Sequence, residues 1–225
     1  MKSKIFRTAS LLGCLCMVLA LAISTAAAAD KKKHPGKKLY MTKTCMACHG
    51  RNGKKAIMDY PNIAGQEPLY MKRQIDFILK GKRTGRPDKT GHPRSAGMKG
   101  ALTLPETGEP TITKDEIKEI ISWLAEQEPA KIKPPKEPLD PDSVAAGKKL
   151  FKKKCKACHG KEGKKPLKGN PYVAGQKRDY LLIQMEDIKT KARKTSKTAG
   201  MYAVVKKMDE AQLNSLADYL SQVER

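Results

Sequence analysis

A five-residue motif, Cys45-Met46-Ala47-Cys48-His49, occurs again 110 residues later as Cys155-Lys156-Ala157-Cys158-His159, and no other feature constrains the fold as tightly. Cys-x-x-Cys-His is the attachment pattern of a c-type haem. Two thiols three positions apart lie about one helical turn from each other, close enough to add to the two vinyl groups of one porphyrin as thioethers. The imidazole that follows lies under the ring and can give a nitrogen to the iron. Cys45, Cys48, Cys155 and Cys158 are therefore expected to hold two covalently bound haem c groups, with His49 and His159 as iron ligands. A zinc site would need four ligands around a tetrahedron, and the adjacent Cys48 and His49 do not easily face one ion. A thioredoxin-like pair would need a βαβ setting that this chain does not offer.

The duplication extends beyond the motif. Gly36-Lys37-Lys38-Leu39-Tyr40 precedes the first copy and Gly147-Lys148-Lys149-Leu150-Phe151 the second. Downstream, Ala64-Gly65-Gln66 returns as Ala174-Gly175-Gln176, Tyr70 as Tyr180 and Arg83 as Arg193, all at the offset of the cysteines. A chain of 225 residues accommodates two domains of about 100 residues each. Domains that small bury little apolar surface, and with 5% aromatic residues a bound porphyrin would complete each core. The expected organisation is a first domain over 30–128, a proline-rich linker over 129–141 and a second domain over 142–225. The prolines between Pro129 and Pro141 favour an extended, semi-rigid spacer.

Helical spacing dominates. The segments from Leu69 to Leu79 and from Tyr180 to Ile188 are apolar at helical intervals, and each domain closes on a stronger helix. Thr113 with Glu116, and Asp209 with Gln212, read as capping boxes for these closing helices. Trp123 and Tyr219 are expected to pack on the opening helices, where Gly36 and Gly147 permit a close crossing. Asp142 is expected to cap the helix after the linker. No useful strand-period segment is present, so the fold class is all-α.

Lys2, Lys4 and Arg7, the apolar run from Leu11 to Ile23, and Ala26 to Ala29 have the layout of an export signal over 1–29. Cleavage there would remove Cys14 and Cys16 and leave four cysteines, all within the motifs. The expected location is the bacterial periplasm. If the segment stays uncut, association with the membrane surface or anchoring is the alternative. The formal charge is +23, and +20 without the signal, spread along the chain. Such runs are ordinarily a solvated surface; read functionally, they steer acidic redox partner proteins toward the molecule. Nucleic acid suits the charge but has no recognition motif here. Oligomeric state stays open.

Function turns on the sixth iron position. A methionine thioether there favours Fe(II) and fills the coordination sphere. Met98, between Gly97 and Gly100, and Met201, after Gly200, are placed to arch back over the two rings as glycine-bounded loops. His92 is the rival to Met98. Met58 and Met71 follow His49 too soon and are expected in the core; Met185 is read as a helix-face residue, Met208 as an apolar staple at the start of the last helix, and His34 as solvated. A ligating histidine usually donates its second N–H to a carbonyl, which Pro61 and Pro171 can supply.

The order Cys-x-x-Cys-His-Gly, Pro-x-x-Ala-Gly-Gln, Tyr-Met or Tyr-Leu, then a glycine-bounded methionine and a last helix bearing a late aromatic resembles class I cytochrome c. The doubling resembles the two-haem cytochrome c4 family. The resemblance implies two tandem domains related by a pseudo-twofold axis, each with a His/Met-ligated haem, that carry electrons toward a terminal oxidase or reductase without acting as an enzyme. It further implies that Pro61 and Pro171 bond the haem histidines, and that Gln66, Gln176, Tyr70, Tyr180, Arg83 and Arg193 surround the haem propionates. The alternative is the cytochrome subunit of a periplasmic dehydrogenase, for instance one oxidising sulfur compounds, or a haem peroxidase. One departure is the segment from Leu104 to Thr113, which lengthens the first domain after Met98.

Overall fold

The structure, a computed structural model, describes residues 34–88 and 91–225. The expected signal over 1–29 lies outside them. Among the described residues no helix is long and apolar enough to cross a membrane. The first half contains α1 (Pro35–Thr42), α2 (Cys45–His49), α3 (Pro68–Leu79), α4 (Ala96–Ala101) and α5 (Lys114–Ala125). The second repeats the order with α6 (Pro141–Lys154), α7 (Lys156–His159), α8 (Arg178–Lys189), α9 (Ala199–Val205) and α10 (Glu210–Ser221). A 3-10 turn follows each motif, and β pairing among the described residues is confined to two isolated bridges, Pro87 with Pro93 and Thr103 with Pro110.

Each half is built on one helix crossing. Opening helix α1 lies across closing helix α5 so closely that a Cβ on Gly36 would sit 2.0 Å from the carbonyl oxygen of Glu119. Gly147 on α6 meets Ser215 on α10 in the same way, at 1.9 Å. Only glycine leaves room for backbone to meet backbone. The aromatic four residues on then reaches its partner: Tyr40 and Trp123 have ring centroids 5.0 Å apart, Phe151 and Tyr219 5.9 Å, both tilted. Ile117, Ile120, Ile121 and Leu124 bury one face of α5, as Leu213, Leu216, Ala217 and Leu220 do on α10. Both capping boxes are present: Thr113 and Asp209 accept the backbone N–H of Glu116 and Gln212, whose side chains reach back to the cap N–H groups.

Two helix starts differ from the expectation. Asp140, not Asp142, caps α6: its Oδ1 accepts the N–H of Asp142 at 2.9 Å. Pro141 takes the first helical position, where a missing N–H costs nothing. His34 is not simply solvated, because its Nδ1 accepts the N–H of Gly36 at 3.1 Å and caps α1.

The first half carries two additions. The stretch after Met98 folds into a turn in which Leu104 N–H donates to Glu109 O and Thr111 N–H to Leu102 O. Between α3 and α4 a hairpin closes through Asp88 N–H to His92 O and Arg94 N–H to Arg86 O. This hairpin leans on the second half, where Gly85 N–H donates to Ala192 O at 3.1 Å.

Candidate metal centres

Each motif forms a short helix closed by a glycine that no other residue could replace. Gly50 and Gly160 have φ of 70° and 73°, and a Cβ would lie 2.2 Å and 2.0 Å from the carbonyl oxygens of Lys55 and Lys165. The following loop thereby folds back on the motif: Ile57 N–H donates to Cys48 O and Leu167 N–H to Cys158 O, both at 3.0 Å. Next the chain brings Pro61 and Pro171 to the histidines. His49 Nδ1–H donates to Pro61 O at 3.0 Å, and His159 Nδ1–H to Pro171 O at 3.1 Å. This fixes ring orientation and tautomer and leaves each Nε2 with its lone pair for a metal. Burial lowers the pKa of both imidazoles against the opposing pull of the proline carbonyls, so they stay neutral and able to ligate. Burial likewise pushes the thiols of Cys45 and Cys155 up, the latter to about 11.

The methionines lie on helices rather than in loops. Met98 is on α4 and Met201 on α9, both partly buried. Met98 shares one cavity with Cys45, Cys48, His49 and Pro61. A second cavity, about 320 Å³, is lined by Cys155, Cys158, His159, Pro171 and Met201 and continues across the molecule to His49 and Met98. His92 is exposed and lines neither cavity. Met71, Met185 and Met208 are buried in the cores, whereas Met58 is 70% exposed, contrary to its expected core position.

The remaining residues singled out from the sequence meet across the middle of the molecule. The amide of Gln66 donates to Tyr172 O at 3.0 Å and accepts Tyr172 N–H at 2.8 Å; Gln176 does the same with Asn62, at 2.7 and 3.0 Å. These amides thus join the two halves, and both also line the second cavity. Arg83 donates to Gln74, Tyr180 and Gln184, each at 3.1 Å. Buried Arg193 reciprocates with Gln184 at 2.6 Å, Gln74 at 2.8 Å and Tyr70 at 3.3 Å. Each guanidinium is therefore held by groups from both halves, in a nearly twofold pattern lying between the two cavities.

Gln74, Gln184, Asn62 and Tyr172 belong to this network and were not singled out from the sequence. Gln74 and Gln184 keep the 110-residue offset and lie four residues after the tyrosines, on one helix face; that was the available signal. Asp187 was also missed. Its carboxylate is 1% exposed, lines the first cavity and has Arg86 Nε 3.1 Å away, while its counterpart in the first half is Phe77.

These residues fit a covalently attached porphyrin. Each cavity offers two cysteines, an imidazole with a free Nε2 and a thioether in one enclosure. The buried Nε atoms of Arg73, Arg94 and Arg193, in the cavity walls, have no acceptor from the protein. Carboxylate groups on a ligand would satisfy them. Among the described residues no cluster of three or more His, Cys, Asp or Glu side chains could hold a bare metal ion.

Comparison with known proteins gives the same direction. The cytochrome c family model matches residues 34–128 and 144–224. Cytochrome c4 of Azotobacter vinelandii is 25% identical over 187 residues, 78% of this chain and 82% of the relative. The structure of reduced recombinant cytochrome c4 from Pseudomonas stutzeri superposes with a TM-score of 0.65 at 24% identity, covering 84% of this chain and 97% of that one. The cbb3-type cytochrome c oxidase subunit CcoP of Azospirillum sp. is 26% identical over 82% of this chain, which spans 60% of that subunit.

Proposed function

The chain belongs to the cytochrome c family, and from that premise we propose that it is a periplasmic two-haem electron carrier between respiratory donors and a terminal oxidase or reductase. The observation that carries the reading is that each half has a complete ligand set in one enclosure: two cysteines, a histidine locked to a proline carbonyl, and a methionine. Haem bound there supplies one-electron chemistry between Fe(II) and Fe(III). The protein's part is to hold charge change cheaply. His49 and His159 keep one orientation and one tautomer through their proline bonds. Met98 and Met201 would hold the iron through their thioethers, which would keep small oxidants away from it and leave no open site of the kind peroxidase chemistry needs. Ile78 and Leu102 line the first cavity and Ile188 and Val205 the second, excluding water. The arginine network ties the two enclosures into one body, with a limited range of separations between them.

An optical redox titration of the mature holoprotein tests this. Two reversible one-electron steps per chain are expected, with the ferric methionine-to-iron band in the magnetic circular dichroism of both. Rapid cyanide or carbon monoxide binding by the resting protein would instead indicate an open sixth site and an enzyme. The similarity to an oxidase subunit favours one second reading, a carrier domain pair held within a larger complex; stable co-purification with a catalytic subunit would distinguish it from a free carrier.

A further inference from the structure

The two motif edges are alike in backbone and unequal in charge. Around Cys155–His159, seven exposed positions carry lysine: Lys152, Lys153, Lys154, Lys156, Lys161, Lys165 and Lys168. Pairing the halves through Tyr40 with Phe151, and then through the cysteines, gives the matching positions Met41, Thr42, Lys43, Met46, Arg51, Lys55 and Met58, all exposed except the partly buried Lys43. One edge thus presents seven cations where the other presents three, with three methionines in place of lysines.

These side chains surround the attachment site itself. Lys156 is inside the motif, and the loop bearing Lys161, Lys165 and Lys168 is clamped to it by the Lys165 carbonyl against Gly160 and by the Leu167 N–H bond to Cys158 O. Among the described residues none of the seven takes part in an ion pair. The loop's one carboxylate, Glu162, is held by Lys164 at 3.1 Å. In the first half, by contrast, Lys43 and Lys54 are drawn to Glu116 and Glu128, at 3.0 and 3.6 Å. A merely solvated surface would spread such charge over both edges. Clustered like charges repel one another, and a complementary surface relieves that repulsion.

Resting on the electron-carrier reading, we infer that the lysine-ringed edge of the second half is the docking face for an acidic redox protein, and that the first half's motif edge is not. Docking there places the partner against the Cys155–His159 enclosure, while the arginine and glutamine network connects that enclosure to the other. The attraction is long-ranged but screened: the Debye length is about 10 Å at 0.1 M salt.

The test is an amide-resolved NMR titration of the reduced, diamagnetic holoprotein with a short polyglutamate peptide as the carboxylate probe, at low and high salt. Shifts are expected over 152–168, vanishing at high salt. The variant Lys156→Glu/Lys161→Glu/Lys168→Glu is expected to bind at least about tenfold more weakly, and Arg51→Glu/Lys55→Glu to change affinity less than about twofold. Shifts centred on 41–58, shifts spread evenly over both halves, or unchanged affinity in the triple variant would overturn the assignment. The redox titration is read on the same samples: intact two-electron behaviour with evenly spread shifts removes only the docking face, and failure of that titration removes the carrier reading itself.

Discussion

At the residue scale the two histidines bear the greatest load, because one ring must serve a proline carbonyl and a metal together. Their pKa values are lowered by burial, so the unfolded chain takes up protons first as the solution is acidified. Stability from the neutral rings is full above the unfolded value of about 6.5 and is lost as pH falls through the lower folded values. Before haem is attached, unfolding of the chain followed between pH 7 and 4 should therefore show stability dropping on the acid side. Asp187 has the opposite sign. Burial raises its pKa against the pull of Arg86, so its contribution fades as pH rises through the raised value, and Asp187→Asn should remove that part of the pH dependence. Facing it are Arg86 and Arg94 from the hairpin, Arg193 from the loop after α8, and neighbouring Glu186. Met98→Ala should open the sixth position of one haem only; carbon monoxide titration of the reduced variant should then report one binding site per chain, against none in the wild type.

At the element scale the close crossings of α1 with α5 and α6 with α10 set how each enclosure is walled. Gly147→Ala puts a methyl group into the Ser215 carbonyl and must push α6 off α10, an overpacking that costs on the order of 1–3 kcal/mol. Gly100→Ala on α4 meets open space and should be neutral or slightly stabilising; thermal unfolding of the two variants compares them directly. These crossings were legible in the sequence because glycine, a four-residue interval and an aromatic encode them locally, and the capping boxes and proline carbonyls were legible for the same reason. The hairpin over 84–94 was not: it is closed by bonds flanking Pro87 and Pro93, and prolines hide any strand period. Met98 and Met201 were read as loop residues because flanking glycines look like turns, yet both sit inside short helices. Met58, with φ of 43°, is turned out to solvent by a backbone conformation that no spacing rule reveals.

On the scale of the whole molecule the duplication does more than supply two copies. Gln66, Tyr70 and Arg83 find partners about a hundred residues away in the other half, and pattern along one chain carries no information about that pairing. The repeated polar positions were visible, but their purpose was set only when the halves met. Gln66→Ala/Gln176→Ala removes four such bonds, each worth about 1 kcal/mol. Calorimetry should show the wild type unfolding in one transition and the double variant in two. Arg225, whose guanidinium donates to Ala64 O at 2.6 Å and lies 4.5 Å from the centre of the Tyr172 ring, adds a further tie between the chain end and the first half. All of this rests on each half enclosing its own covalently held iron porphyrin. The direct measurement is the intact mass of the exported protein under denaturing conditions. The account predicts the mature chain plus two haem masses, and a chain carrying one haem or none would contradict it.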